Sequence, residues 1–349
     1  MDVTFLRGKK EGAFILPPDK SEMIRALLCA TLSGKKTDIF FGGGKLSDDV
    51  MHAVTAVRAL GAEVTFSAGK ISIICEKLNR KKDVFSGESA TLYSFLYAIS
   101  EVFGLDLNVI PEGTLTERIR ERRGGIKVTD DMIIVDNKTS SQSVSGAVIA
   151  NSFSEKKRKI VLKNELVSEK YVRLTEKIVK IIKNENKIII NDDLSFGETI
   201  AAANMLGNKI EGNNLLIPEN YDAAENPDFV FSAAILAACK NNGEETFLKN
   251  TGRLKLKESD REVGVVSFIN GLGGKAEIVG ENIKITGTEG LSGGTVDALS
   301  DHRRVFAAWL ASTVSSGDIT VTGAEAVSKS FPDFIEQAEK LCTITKEKE

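Results

Sequence analysis

The chain has 349 residues, 42% of them hydrophobic, which is enough to bury a sizeable core and long enough for two domains. Its 46 Lys and Arg against 49 Asp and Glu leave a formal charge of −3, so nothing global points to nucleic acid or an anionic membrane, and any anion site has to be local. Cys29, Cys75, Cys239 and Cys342 form no CxxC pair and the only histidines are His52 and His302, which argues for buried reduced thiols and against a zinc site.

In chain order, MDVTFLRGKKEG alternates as a strand and has no signal-peptide core, and no apolar run reaches membrane-spanning length; a cytoplasmic protein is expected. LPPDKSEMIRALL follows, residues 16–28. Pro17, Pro18 and Asp19 end the strand and offer a cap, while Met23, Ile24, Ala26, Leu27 and Leu28 predict a buried helix. Lys20, Ser21 and Arg25 are out of place in such a helix, because two cations sit at the end whose free N–H groups are already positive. Taken alone, they also fit a solvated helix end with Arg25 snorkelling or paired to a surface acid.

A unit then recurs. An apolar helix to Ser33-Gly34, a strand TDIFF, a loop with Ser47-Asp48-Asp49, a helix ending ALGAEV and a strand ISIIC return from Asp228 as FSAAILAAC, ETFLKN, Glu258-Ser259-Asp260-Arg261, a helix ending GLGGKAEIV, and NIKIT. Further copies start at GESATLYSFL, SSQSVSGAVIA and DHRRVFAAWLASTV, and NDDLSFGETIAAANMLGNKI supplies a helix and strand only. The spacing predicts six units in an α/β (α+β) chain, the second and fourth shortened, grouped as two halves because each unit needs neighbours to bury its sheet. Each unit opens on a helix N-terminus carrying charged or hydroxyl residues, a design for binding anions if those ends converge.

Singly, KESDR (257–261), DHRR (301–304) and SKSF (328–331) read as capping loops or surface charge. In series they say more. PxxKSxxxRALL at 17–28, SDD at 47–49, SSQ at 140–142, ELVSxxY at 165–171, NPD at 226–228, LKxKESDR at 254–261, SDHR at 300–303 and SKSFPDF at 328–334 resemble the 5-enolpyruvylshikimate-3-phosphate synthases, in the same order and over residues 14–340. The resemblance implies the two-domain enolpyruvyl transferase fold, an inside-out α/β barrel of six βαβαββ-type repeats whose domains close on substrate. The expected domains are 19–189, and 1–18 with 190–349, with hinges near 14–18 and 189–192. It implies transfer of the enolpyruvyl group of phosphoenolpyruvate to the 5-hydroxyl of shikimate 3-phosphate, without metal or organic cofactor, by a monomer whose partners are these small molecules and neither nucleic acid nor membrane.

By the same resemblance, shikimate 3-phosphate is expected at Lys20, Ser21, Arg25, Ser140, Ser141, Gln142, Ser168, Tyr171, Asp228 and Lys257. Phosphoenolpyruvate is expected at Lys20, Ala90, Arg118, Gln142, Arg261, Arg303 and Lys329. Asp228 takes the hydroxyl proton, Glu258 protonates the methylene carbon and Lys20 shares in proton transfer. Both substrates are multiply charged, which is why cations and oriented donors dominate the set. The second unit departs from the pattern: Ala90 and Ser94 stand where typical members have glycine and arginine, and Arg253 replaces an asparagine. Ala90 is expected to crowd the phosphoenolpyruvate site and weaken glyphosate, which occupies it in the family. Two other readings stay open: a catalytically silent relative that binds anions, and the related transferase acting on UDP-N-acetylglucosamine. The latter family has Lys-Asn at the Lys20-Ser21 position and a loop cysteine that IPEGTLTERI (110–119) lacks.

Overall fold

The computed structural model describes residues 1–119, 125–137, 141–166, 168–211, 221–341 and 344–346; Ser140, Cys342 and the side chain of Arg253 lie outside what is described. The chain divides into two compact units, Pro17–Asp192 and Met1–Leu16 with Asp193–Glu349.

In Pro17–Asp192 the helices are α1 (Lys20–Ser33), α2 (Asp48–Ala59), α3 (Ala90–Phe103), the single turn α4 (Leu115–Arg118), α5 (Gln142–Phe153) and α6 (Glu169–Asn184). Side-chain caps place several starts: Asp19 accepts from Glu22 N, Ser47 from Val50 N and Ser89 from Leu92 N. Strand Lys187–Ile189 runs parallel to Thr37–Phe40, which continues antiparallel through Lys70–Ile74 to Glu63–Ser67. The same parallel pairing across a helix joins Lys81–Gly87 to Asp106–Pro111 over α3, and Met132–Val135 to Lys159–Leu162 over α5. Helix α1 is buried from Met23 to Leu32, so its apolar sequence is explained by neighbours on every side. Gly146 lets α5 and α3 approach closely, because a Cβ there would stand 2.9 Å from Ala98 Cβ and 3.1 Å from Ser94 O.

The other unit holds α7 (Leu194–Met205), α8 (Val230–Ala238), α9 (Arg261–Gly271), α10 (His302–Ser312) and α11 (Phe334–Lys340). Strands Glu11–Ala13 and Lys209–Glu211 pair in parallel, as do Gly294–Asp297 and Ile319–Thr322 across α10. The N-terminal strand Val3–Phe5 lies antiparallel between Ile319–Thr322 and Ile344–Lys346. Every residue of α10 is buried, and its Phe306 and Trp309 join Phe14, Phe196, Phe331 and Phe334 in one aromatic cluster, with Phe196 and Phe306 edge to face at 4.8 Å.

Cys29 and Cys75 are buried free thiols, whereas Cys239 is only half-buried, against the expectation of full burial. Among the described residues no helix is long and apolar enough to cross a membrane.

Candidate active site

Within the unit holding α7 to α11, Arg261 is the first residue of α9, placed there because Asp260 caps the helix through Glu262 N and Val263 N. Its side chain is 0% exposed. All five of its N–H donors are engaged: Nε on Asp301 Oδ2 at 2.7 Å, Nη2 on Asp301 Oδ1 at 3.2 Å and Glu258 Oε2 at 2.7 Å, Nη1 on Asp228 Oδ1 at 2.8 Å and Pro227 O at 3.1 Å. One guanidinium therefore holds three carboxylates. Asp301 is fully buried with it, while the Asp228 and Glu258 side chains keep 23% and 27% exposure, so the two acids look outward from a buried base.

Arg303, on the first turn of α10, completes the group. Its Nη2 donates to Ser195 Oγ at 2.7 Å and lies 3.9 Å from Asp228 Oδ2, but Nε and Nη1 are buried with no acceptor among the described residues. Asp193 caps α7 and accepts from the Ser195 hydroxyl that holds Arg303. The loop before α8 is fixed by Asn226 Nδ2 on Glu198 Oε1 at 2.7 Å and by Tyr221 OH on Asn226 O at 2.8 Å. Lys329 Nζ donates to Ser300 O, the residue before Asp301, at 2.8 Å.

Charge follows from this geometry. Burial pushes the Asp228 carboxyl up, but Arg303, Lys257 and Arg261 outweigh it and hold the group well below the usual carboxylate range. Burial lowers Arg261, yet Asp301, Glu258 and Asp228 raise it well above its ordinary value. The starts of α7, α8, α9 and α10 thus gather two arginines and at least three acids in one place.

In Pro17–Asp192 polar contacts link helix starts in pairs, α1 to α2, α5 to α3 and α5 to α6, with different chemistry. Lys20 Nζ is 2.9 Å from Asp49 Oδ2 on α2. Arg25 is buried, neither snorkelling nor paired with a surface acid: Nε donates to Thr175 Oγ1 at 2.7 Å and Nη1 to Ser21 O at 2.8 Å, and the guanidinium lies 5.0 Å from the centre of the Phe95 ring. Burial pushes Arg25 down to about 10 and outweighs the opposing pull of Asp19 and Glu22, neither of which hydrogen-bonds it among the described residues. Tyr171, whose ring centre is 5.9 Å from Arg25, stands near the start of α6, and Ser168 sits just before that helix with φ 51. Gln142 Nε2 donates to Thr91 Oγ1 at 2.9 Å, joining the starts of α5 and α3, and Ser141 is buried beside it. Arg118 is held on α4 by Thr114 Oγ1 at 3.2 Å and Glu88 O at 3.4 Å, two residues before Ala90 at the head of α3.

Residues 192–338, which carry the Arg261 cluster, match the family model for EPSP synthase (3-phosphoshikimate 1-carboxyvinyltransferase). Curated relatives of that second name include a Clostridium perfringens protein, 25% identical over 418 residues, covering 97% of this chain and 98% of its own length. The chain is a divergent relative of the EPSP synthases. A Methanococcus vannielii 3-phosphoshikimate 1-carboxyvinyltransferase is 26% identical over 420 residues, 96% of this chain and 97% of its own. The EPSP synthase structure from Acinetobacter baumannii superposes with a TM-score of 0.75 at 18% identity, covering 99% of this chain and all of that one, so the fold is the two-domain EPSP synthase fold. Because the first alignment spans 418 residues against 349 here, the shortening of this chain falls in internal gaps.

Sequence reasoning named Asp228, Glu258, Arg261 and Arg303, which the structure brings together, but it missed their supports Asp301, Ser195 and Glu198, and it missed Thr175 and the pairing of Asp49. The acid of SDHR was the one available signal, since it adjoins Arg303 in a quoted motif.

Proposed function

We propose that this EPSP synthase relative transfers the enolpyruvyl group of phosphoenolpyruvate to the 5-hydroxyl of shikimate 3-phosphate by addition and elimination, releasing phosphate. The observation that carries the reading is the pair of outward-facing acids on buried Arg261 beside Arg303, whose buried Nε and Nη1 find no acceptor among the described residues. These two N–H groups lie on opposite sides of the guanidinium, so a single anion reaching Arg303 would engage one of them, and leaving a buried donor unfilled costs about 1–3 kcal/mol.

Asp228 accepts the hydroxyl proton and Glu258 delivers one to the methylene carbon, with Lys20 sharing in proton transfer. The cations around Asp228 make it a weak base. Phosphoenolpyruvate on Arg303 and phosphate groups near Lys257 would offset that field, so the base strengthens as the anions arrive. Lys329, Arg118, Gln142 and Lys20 complete the phosphoenolpyruvate set, with Ala90 alongside. Arg261 can join it only by giving up one of its present acceptors. Ser21, Arg25, Ser141, Gln142, Ser168 and Tyr171 hold shikimate 3-phosphate with Lys20, Asp228 and Lys257; Ser140, outside the described residues, is assigned there by its SSQ motif. We assign the hinges between units to residues 14–18 and 189–192, and the enzyme to the cytoplasm as a monomer.

Phosphate release from phosphoenolpyruvate should require shikimate 3-phosphate and fall by about 10²–10⁴ in Asp228→Ala. Release no faster than in that variant would leave the chain as a silent anion binder. UDP-N-acetylglucosamine should not replace shikimate 3-phosphate.

A further inference from the structure

Asp301 is the one carboxylate of the cluster with no exposed surface and is therefore out of reach of substrate. Its two oxygens nevertheless serve four donors. Oδ2 accepts from Arg261 Nε at 2.7 Å and Ser259 Oγ at 3.1 Å, and Oδ1 from Arg261 Nη2 at 3.2 Å and Arg303 N at 3.0 Å. The first and third of these form a two-point fork that fixes the plane of the guanidinium. With the plane fixed, the second N–H of Nη2 is aimed at Glu258 and one N–H of Nη1 at Asp228. The fourth caps α10 at the residue that carries Arg303.

We propose that Asp301 is a positioning residue for proton transfer: it holds Arg261 in the one orientation that spaces Asp228 and Glu258, and it ties the 257–261 loop to the start of α10. The proposal rests on the enolpyruvyl-transfer reading given above. A carboxylate that merely capped α10 would need one acceptor oxygen, and an asparagine would serve as well. The fork needs two acceptors, and the amide nitrogen of asparagine would face an Arg261 N–H with another donor.

Asp301→Asn separates these roles. With phosphoenolpyruvate and shikimate 3-phosphate, kcat should fall about 10- to 100-fold, as for a displaced catalytic group, while KM for each substrate stays within about threefold. Arg261→Lys, a cation without the fork, should lose kcat similarly, and the double variant should be no slower than the slower single one. Unchanged kcat in a folded Asp301→Asn protein, a loss carried by KM, or effects that multiply in the double variant would each overturn the proposal. If Asp301→Asn does not fold, Ser259→Ala removes one bond to the same carboxylate. It should lower kcat about threefold with KM unchanged, as expected for a bond worth about 0.5–1 kcal/mol; an unchanged kcat overturns the proposal there too. A wild-type protein silent with both substrates would instead remove the functional reading, and this proposal with it. Turnover in the wild type with none of these losses removes this proposal alone.

Discussion

Two buried arginines, Arg261 in one unit and Arg25 in the other, sit in opposite electrostatic surroundings. Arg261 has three carboxylates in contact and is raised well above its ordinary value; Arg25, among the described residues, has neutral acceptors and aromatic rings in contact, and burial outweighs the more distant Asp19 and Glu22 to push it down to about 10. The first is an anchor whose charge is already spent on the protein. The second holds its charge at a cost, and a ligand that brought negative charge to it would recover that cost. Expected alike as substrate ligands, the two side chains are distinguished by what lies around them.

The largest effect is expected in Arg261→Met. Removing the cation strands buried Asp301 and leaves Asp228 and Glu258 without their shared donor, a loss expected to cost about 3–5 kcal/mol. Denaturant unfolding should show the midpoint falling with turnover abolished. An Arg261→Met protein as stable as the wild type would mean that the three carboxylates never depended on this cation.

Arg25→Met tests the other half. The ligand-free protein should be as stable as the wild type or more so, because a buried charge whose burial outweighs the pull of Asp19 and Glu22 is replaced by an apolar chain of similar length. Binding of shikimate 3-phosphate should weaken about 10- to 100-fold, the worth of a charge-assisted contact to an anion. Thermal unfolding with and without ligand reads both effects. A fall in ligand-free stability with unchanged binding would make Arg25 a packing residue and erase the contrast with Arg261.

The helices were legible because their signals are local. Asp19 caps where the sequence predicts, and Met23, Ile24, Ala26, Leu27 and Leu28 are buried as expected. The site was half legible. Lys257, Glu258 and Arg261 fall within five consecutive positions, and so could be read as a motif. Their supports could not, because they are contacts through space: Asp301 lies 40 residues from Arg261, Asp49 lies 29 from Lys20 and Thr175 lies 150 from Arg25. Such partners depend on which strand follows which helix into a sheet. The pairing of Val3–Phe5 with Ile319–Thr322, near the other end of the chain, shows how little of that is written locally.

The smallest expected effect concerns Ala90, at the head of α3, where typical family members have glycine. Ser89 already caps this helix through Leu92 N and Ser94 Oγ bonds back to Ala90 O, so the turn is satisfied without help from the methyl group. Ala90→Gly therefore gives up about 0.5–1 kcal/mol of helix preference and little else in the fold. Under the proposed assignment of Ala90 to the phosphoenolpyruvate site, it removes one methyl group, whose crowding of a snug anion is worth about 1–2 kcal/mol. The inhibition constant for glyphosate should fall about 5- to 30-fold, with KM for phosphoenolpyruvate falling less. If the constant does not move, Ala90 does not line the proposed phosphoenolpyruvate site, and the glycine position of the second unit lies elsewhere.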